Sequence, residues 1–338
     1  MKGESFVKKR NKFSFALFYQ KFGVFTLLVI LFVAAAILNP NFLKFANLRN
    51  VLRQIVIITI IACGGCFILI CGQINIAYDG LIACLGCISC LIMVATNNVF
   101  IAVGSGIALG GFIGYLYGVC VTKLKVPGFL VGLAISSIAG GAITIITGGS
   151  RVEGVGDSFT ALGKGNVGPI PISVIIMLIC MVCCHFLLTK STFGRRVLAV
   201  GGNREAAVAS GINADRIIRK VYLLDGITIA LASILYMARL GSGQPGAGEG
   251  YAFDAITGAV VGGCSIYGGK GSVLGCLVGA AIVGILDNLL SLMNVSSYWQ
   301  RIVTGSVILL AVLIDIATKE AATTATKNMM AEKRESQA

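Results

Sequence analysis

The chain has 338 residues, 57% hydrophobic and 12% charged, with a formal net charge of +13 and a mean hydropathy of +0.91. A soluble domain carries about 25% charged residues, so this composition excludes a water-soluble globular protein and fits one embedded in a membrane. The basic residues lie in short clusters between apolar runs, which excludes the exposed basic arm of a nucleic-acid-binding protein.

A helix needs about 20 apolar residues to cross a hydrocarbon core about 30 Å thick. Ten runs meet or approach that length: 23–39, 53–71, 79–96, 99–121, 126–147, 169–188, 219–238, 253–266, 273–291 and 299–316. The predicted fold class is all-α, a polytopic membrane helical bundle of about ten transmembrane helices. Barrel strands would alternate in polarity over about 10 residues, and these runs do not. Residues 1–22 and 317–338 read as tails around a transmembrane domain at 23–316. With the N-terminus inside and ten crossings, most of the 27 Lys and Arg fall on the inner side. They are the basic residues before the first span, Lys123, Lys125, those from Lys190 to Lys220, Lys270 and those of the last tail. This is the positive-inside bias, and it puts both tails in the cytoplasm. The basic start and the apolar run from Gly23 resemble a secretory signal, read here as an uncleaved signal-anchor because many spans follow.

After the first span comes NPNFLKFANLRNVLRQ, residues 39–54, with Lys44, Arg49 and Arg53 on the outer side. Phe42, Phe45, Leu48, Val51 and Leu52 recur at helical spacing, which predicts a short amphipathic helix lying on the outer face. Twelve cysteines follow, several in rows such as Cys63 and Cys66, Cys84, Cys87 and Cys90, and Cys180, Cys183 and Cys184. Helical C-x-x-C pairs with one histidine, His185, do not make a four-ligand zinc site. They read as small apolar filler, and no metal site is assigned. Gly106, Gly110, Gly114 and Gly118 share one helix face, as do Gly275 and Gly279, predicting close helix contact. Asp225 and Asp287 fall inside spans. Such acids face the bundle interior or a wet cavity, and pathway lining, structural pairing and proton coupling all remain open for them.

Between Thr192 and Lys220 the hydrophobic sequence gives way to TFGRRVLAVGGNREAAVASGINADRIIRK. Asn203 suits an N-cap, Glu205 the first turn, and Gly211 a left-handed C′ position. Residues 204–210 are therefore predicted to form a two-turn helix, too short to be stable in water without a partner. GGKGS at 268–272 lacks the spacing of a phosphate-binding loop, so the chain carries no ATP site and no cofactor. One histidine and no nucleophile–base set argue against an enzyme.

Several runs together resemble the permease subunit of ATP-binding cassette (ABC) importers of the ribose, or monosaccharide, type. They are NPNFLKFANLRNVLRQ, STFGRRVLAVGGNREAAVASGIN, ARLGSGQPGAGEGYAFDAITGAVVGGCSIYGGKGSVLGCLVGA and NVSSYWQRIVTGSVILLAVLID, found in order within a resemblance that extends across residues 24–316. The resemblance implies a bacterial cytoplasmic-membrane protein surrounded by membrane lipid, with three protein partners. These are a separate ABC ATPase that binds the ATP, an extracytoplasmic sugar-binding protein, and a second permease chain, identical or related. It implies ATPase docking through Gly201, Gly202, Asn203, Arg204, Glu205, Ala206 and Gly211, within a coupling loop at 189–218. Gln73, Asn75, Gln244, Tyr251 and Asp254 are the candidate substrate-pathway residues, with helix-end capping as the alternative role for Gln73 and Asn75. The chain departs from the family pattern at CGQINIAYDG, where Asn75 replaces an aspartate and Ala77 a serine, and at Asp225, where a neutral residue is usual. The other functional class is an ion-coupled secondary transporter with Asp225 and Asp287 carrying protons. No broken-helix ion site in two matching halves is visible in the sequence to support it.

Overall fold

Apolar runs this long become helices because a helix bonds every backbone group within its own segment. The computed structural model describes residues 24–296 and, beyond them, 298–300, 302–307, 309, 310 and 313. In chain order the helices are α1 (Val24–Leu38), α2 (Phe45–Ile70), α3 (Tyr78–Thr96), α4 (Val99–Thr122), α5 (Gly128–Thr147) and α6 (Gly156–Lys164). After a two-stranded hairpin, β1 (Asn166–Val167) and β2 (Ile170–Pro171), come α7 (Ile172–Thr189), α8 (Thr192–Gly202), α9 (Arg204–Ala209), α10 (Ala214–Leu240), α11 (Tyr251–Val261) and α12 (Val273–Leu292). Among the described residues, seven helices are long and apolar enough to cross a membrane: α2, α3, α4, α5, α7, α10 and α12. The protein is a polytopic helical membrane protein.

Nine of the ten expected spans coincide with described helices, but α1 and α11 are shorter than a full crossing. The eleven residues of α11 rise about 16 Å, roughly half a bilayer core. The last expected span is helical at the described positions between 298 and 313; its remainder and both tails lie outside the described residues. The separate surface helix expected at 39–54 does not form. Residues 45–54 are instead the first turns of α2, one continuous helix of 26 residues. Phe42 precedes it, fully buried, with its ring edge-on to Phe32 at 5.3 Å. The basic residues there find local uses: the Arg49 guanidinium lies 4.6 Å over the Phe45 ring, and Arg53 donates to Lys164 O at 2.7 Å.

Helix α2 is the hub, with 89% of its apolar window buried, against 22% for α5 at the rim. Helix α10 gives a ruler along the bundle. Cβ atoms placed at Gly110, Gly114 and Gly118 of α4 would run into Gly226 O, Tyr222 O and Arg219 Cα of α10. Gly275 and Gly279 of α12 abut the carbonyls of Gly262 and Gly258 in the same way. Both glycine rows therefore seat one helix backbone on another, as the small-residue spacing predicted. At the Leu240 end of α10 sits α6, its Gly163 against Ala238 and Arg239. At the Ala214 end sit α8, α9 and the 262–272 turn.

Two stretches of chain are not helical inside the bundle. After α2, residues 71–77 are not helical, a turn at 71–72 followed by irregular chain, and α3 begins only at Tyr78. Tyr78 donates to Asp225 Oδ1 at 3.4 Å, and Asp225 is the twelfth of the 27 residues of α10. The start of α3 is therefore level with the middle of the bundle. After α10 the chain turns back. Gly243 pairs with Val152 through two backbone hydrogen bonds, Gly248 packs on the Asp79 backbone, and α11 then starts beside α3.

Candidate functional site

The Ala214 end carries the polar segment singled out in the sequence. Ser191 caps α8 by accepting from Gly194 N at 3.0 Å. Asn203, extended at φ −156° and ψ 106°, closes α8 and opens α9. Its Oδ1 accepts from Ala206 N at 2.9 Å. Gly211, at φ +81°, ends the helix by the expected route: Gly211 N bonds Val208 O and Ile212 N bonds Ala207 O. This paired return is the Schellman closure, and the left-handed residue in it is best a glycine. Arg204 and Asp215 form an exposed ion pair of 2.7 Å that ties α9 to the head of α10.

The two adjacent glycines of the docking set differ. A Cβ on Gly201 would collide with Ile70 O and meet Gly269 N at 2.9 Å, whereas one on Gly202 meets nothing within 4 Å. Gly201 is thus pressed onto the end of α2 and the 262–272 turn, where Gly269 N donates to Ile70 O at 2.8 Å. Phe193 of α8 stacks on Phe67 of α2 at 6.2 Å, which completes the seat. Beyond it α9 projects: only Ala207 is buried, while Arg204, Glu205, Ala206, Val208 and Ala209 are exposed. Val208 keeps 55% of its surface exposed on a helix too short to stand alone.

Of the pathway candidates, Asn75 lies at the mid-bundle level with Gln73 close by, whereas Gln244 lies in the loop beyond the Leu240 end of α10. Asn75 is buried, and both ends of its amide are committed: Oδ1 accepts from Ala77 N at 2.7 Å and Nδ2 donates to Asp225 Oδ2 at 2.6 Å. Two of the positions that depart from the family pattern, Asn75 and Asp225, are therefore partners, with the acid on α10 and the amide on the loop. Gln73 follows the Schellman closure of α2, in which Gly72 N bonds Leu69 O and Gln73 N bonds Ile68 O. Its Oε1 lies 3.1 Å from where a Gly128 Cβ would stand, at the start of α5. Nearby, the Tyr117 and Tyr222 rings stack at 4.2 Å, and Tyr117 donates to Gly128 O at 2.8 Å.

Gln244 is half-buried in the returning loop and donates to Ser242 Oγ at 3.4 Å. Tyr251 packs edge-on against Tyr236 at 5.1 Å, and Asp254 lies in the first turn of α11. The residue that joins the two broken stretches is Asp79, to which the sequence reading gave no role. It accepts from Gly250 N at 3.1 Å and Ala252 N at 2.8 Å, so a carboxylate on α3 caps α11. A carboxylate suits that place because the free amides and the helix dipole favour negative charge. An acid standing one residue into an apolar run was the available signal. The broken-helix geometry absent from the sequence pattern is thus present in the tertiary structure. Beside it lies a void of about 10 Å³ lined by Gly65, Ile68, Asn75, Tyr78, Ala255 and Ile256. That is room for one water, far below the roughly 300 Å³ of a small-molecule pocket.

Three cysteines from separate segments also meet in space. Cys66 of α2, Cys264 of the turn after α11 and Cys276 of α12 meet, their three sulfurs all within 4.8 Å of one another. Grouping cysteines by sequence neighbourhood missed this cluster.

A protein-family model described as branched-chain amino acid transport system / permease component matches residues 47–312. The ribose import permease protein RbsC of Bacillus subtilis is 38% identical over 317 residues, covering 93% of this chain and 98% of that protein. The L-arabinose transport system permease protein AraH of Escherichia coli is 33% identical over 306 residues, covering 90% and 93%. The D-allose transport system permease protein AlsC of Escherichia coli is 32% identical over 314 residues, covering 92% and 96%. No solved structure matches. With the capped helix, its seat and the matched length in agreement, this chain belongs to the permease-component family of the branched-chain amino acid transport system type and is a non-catalytic membrane subunit.

Proposed function

We propose that this chain forms the translocation pathway of an ATP-driven importer for a monosaccharide such as ribose, in a bacterial cytoplasmic membrane. The α8–α9 end faces the cytoplasm, where the positive-inside bias puts it. There α9, with Gly201, Gly202, Asn203, Arg204, Glu205, Ala206 and Gly211, docks on a separate ATPase. An extracytoplasmic binding protein delivers sugar at the opposite end. The observation that carries this reading is a six-residue helix, capped at both ends, that exposes all but one of its residues. A helix built so carefully and left uncovered is waiting for a partner surface.

The sugar passes between two permease chains, identical or related, as the family resemblance implies. Small and polar residues on the exposed side of α5, Ala134, Ser137, Gly141 and Thr144, set among the exposed Leu130, Ile138 and Ile145, favour this. A lipid-facing stripe would be apolar, and small or polar residues belong against protein or water. Rigid-body motion transmitted from α9 switches access from one side to the other, with Gln73, Asn75, Gln244, Tyr251 and Asp254 near the moving junction.

The test is reconstitution in liposomes. This chain with its ATPase and binding protein should accumulate ribose only with ATP, and this chain alone should accumulate none under a proton gradient. Gradient-driven uptake by the lone chain would replace the proposal with ion-coupled transport through Asp225 and Asp287.

A further inference from the structure

Cys66, Cys264 and Cys276 come from three separate segments and are at most 2% exposed. Their sulfurs lie 3.3 Å apart for Cys66–Cys264 and 3.6 Å apart for Cys264–Cys276. A thiolate bond of about 2.3 Å, its length at zinc, sets sulfurs roughly 3.3–4.0 Å apart, according to whether three ligands are pyramidal or planar. Two of the three separations therefore already match a three-sulfur ligand set, and the third lies within 4.8 Å. It lies one turn below Ile70, whose carbonyl holds Gly269 and abuts Gly201. A Cβ on Gly271 would stand 3.1 Å from Cys264 Sγ.

We propose that these three thiols form a binding site for a thiophilic trivalent ion of the arsenite class. Charge balance selects the ion. Three thiolates around a divalent ion leave a net negative charge in a buried site, and around a monovalent ion leave two, which the surroundings disfavour. Zinc also wants a fourth ligand, and the cluster offers three. A trivalent ion with three thiolates is neutral and complete. The step needs no oxidant: an uncharged M(OH)₃ exchanges its three hydroxides for three thiolates, each S–H proton leaves with a hydroxide as water, and the products are M(SR)₃ and 3 H₂O. The uncharged hydroxide is the form able to reach an apolar interior. Once bound, the ion ties α2, α12 and the 262–272 turn together directly beneath the seat of α8.

The experiment titrates sodium arsenite onto the detergent-purified full chain, kept reduced with a phosphine, and reads bound arsenic by elemental analysis and its sulfur neighbours by X-ray absorption. One tight equivalent with three sulfurs at a single distance is the expected result. Cys276→Ser should weaken that equivalent about 100-fold or more and leave two sulfurs, while Cys87→Ser on α3 should change nothing. The wild-type sulfur count decides the matter even if a variant misfolds. No binding, a two-sulfur site, a tight equivalent indifferent to Cys276→Ser, or displacement of arsenic by equimolar Zn²⁺ or Cu⁺ would each overturn the proposal.

Discussion

Single residues decide the chemistry at the middle of the bundle. Asp225 is buried and accepts from Asn75 and Tyr78, so the acid that stood out in the sequence has a structural partner. Asn75→Asp should set two carboxylates at the present 2.6 Å contact and remove the donor between them. It should lower thermal stability in detergent and abolish transport. The exchange Asn75→Asp with Asp225→Asn restores one acceptor and one donor, and should recover most of both. Residues in direct contact are where such non-additivity is expected. If the double variant is as damaged as the single, the pair is not the reason for the pattern departure. Asp79→Ala leaves the amides of Gly250 and Ala252 without their acceptor. A lost helix cap costs about 1 kcal/mol, and here it also frees the returning loop, so transport should fall more than stability does.

At the scale of elements, α9 was legible in the sequence because its instructions are local: an N-cap, an acid in the first turn, alanines and a terminal glycine all lie within nine residues. The neighbouring Gly201 was legible as part of a motif but not as a wedge, since its partners Ile70 and Gly269 are remote in sequence. Gly201→Ala should therefore lose transport and weaken ATPase co-purification, with an overpacking cost of about 1–3 kcal/mol. Gly202→Ala, with open space around it within the chain, should leave the stability of the chain unchanged. Equal effects of the two on stability would remove the seat from the explanation. Glu205→Lys reverses the charge on the exposed first turn of α9. It should leave membrane insertion intact and cut ATPase co-purification at least tenfold; capture at wild-type yield would count against docking there. On α4, Gly114→Leu should prevent the close approach to Tyr222, while Gly104→Leu, facing open space, should have little effect on either yield or transport.

For the whole molecule, burial grades from the α2 hub to the exposed face of α5, the order expected if α5 meets a second chain or the passage. Gly141→Trp on that face should block uptake while the protein still inserts and purifies. Ile179→Trp, on the exposed apolar face of α7, should be neutral. Normal uptake by the Gly141 variant would move the passage elsewhere.

Composition and run length alone determined that this chain lies in a membrane as helices, because the bilayer admits no other use for such runs. Local capping grammar determined α9, and matched motifs determined the family. Only the tertiary structure decided that α11 is a half-length helix capped by Asp79, 171 residues from Gly250. It alone joined Asn75 to Asp225 across 150 residues and Cys264 to Cys66 across 198. Helix formation is driven by neighbours within about four positions, which a linear pattern records. Which buried polar groups and thiols meet depends on how whole helices pack against one another, and a one-dimensional pattern carries no such distances.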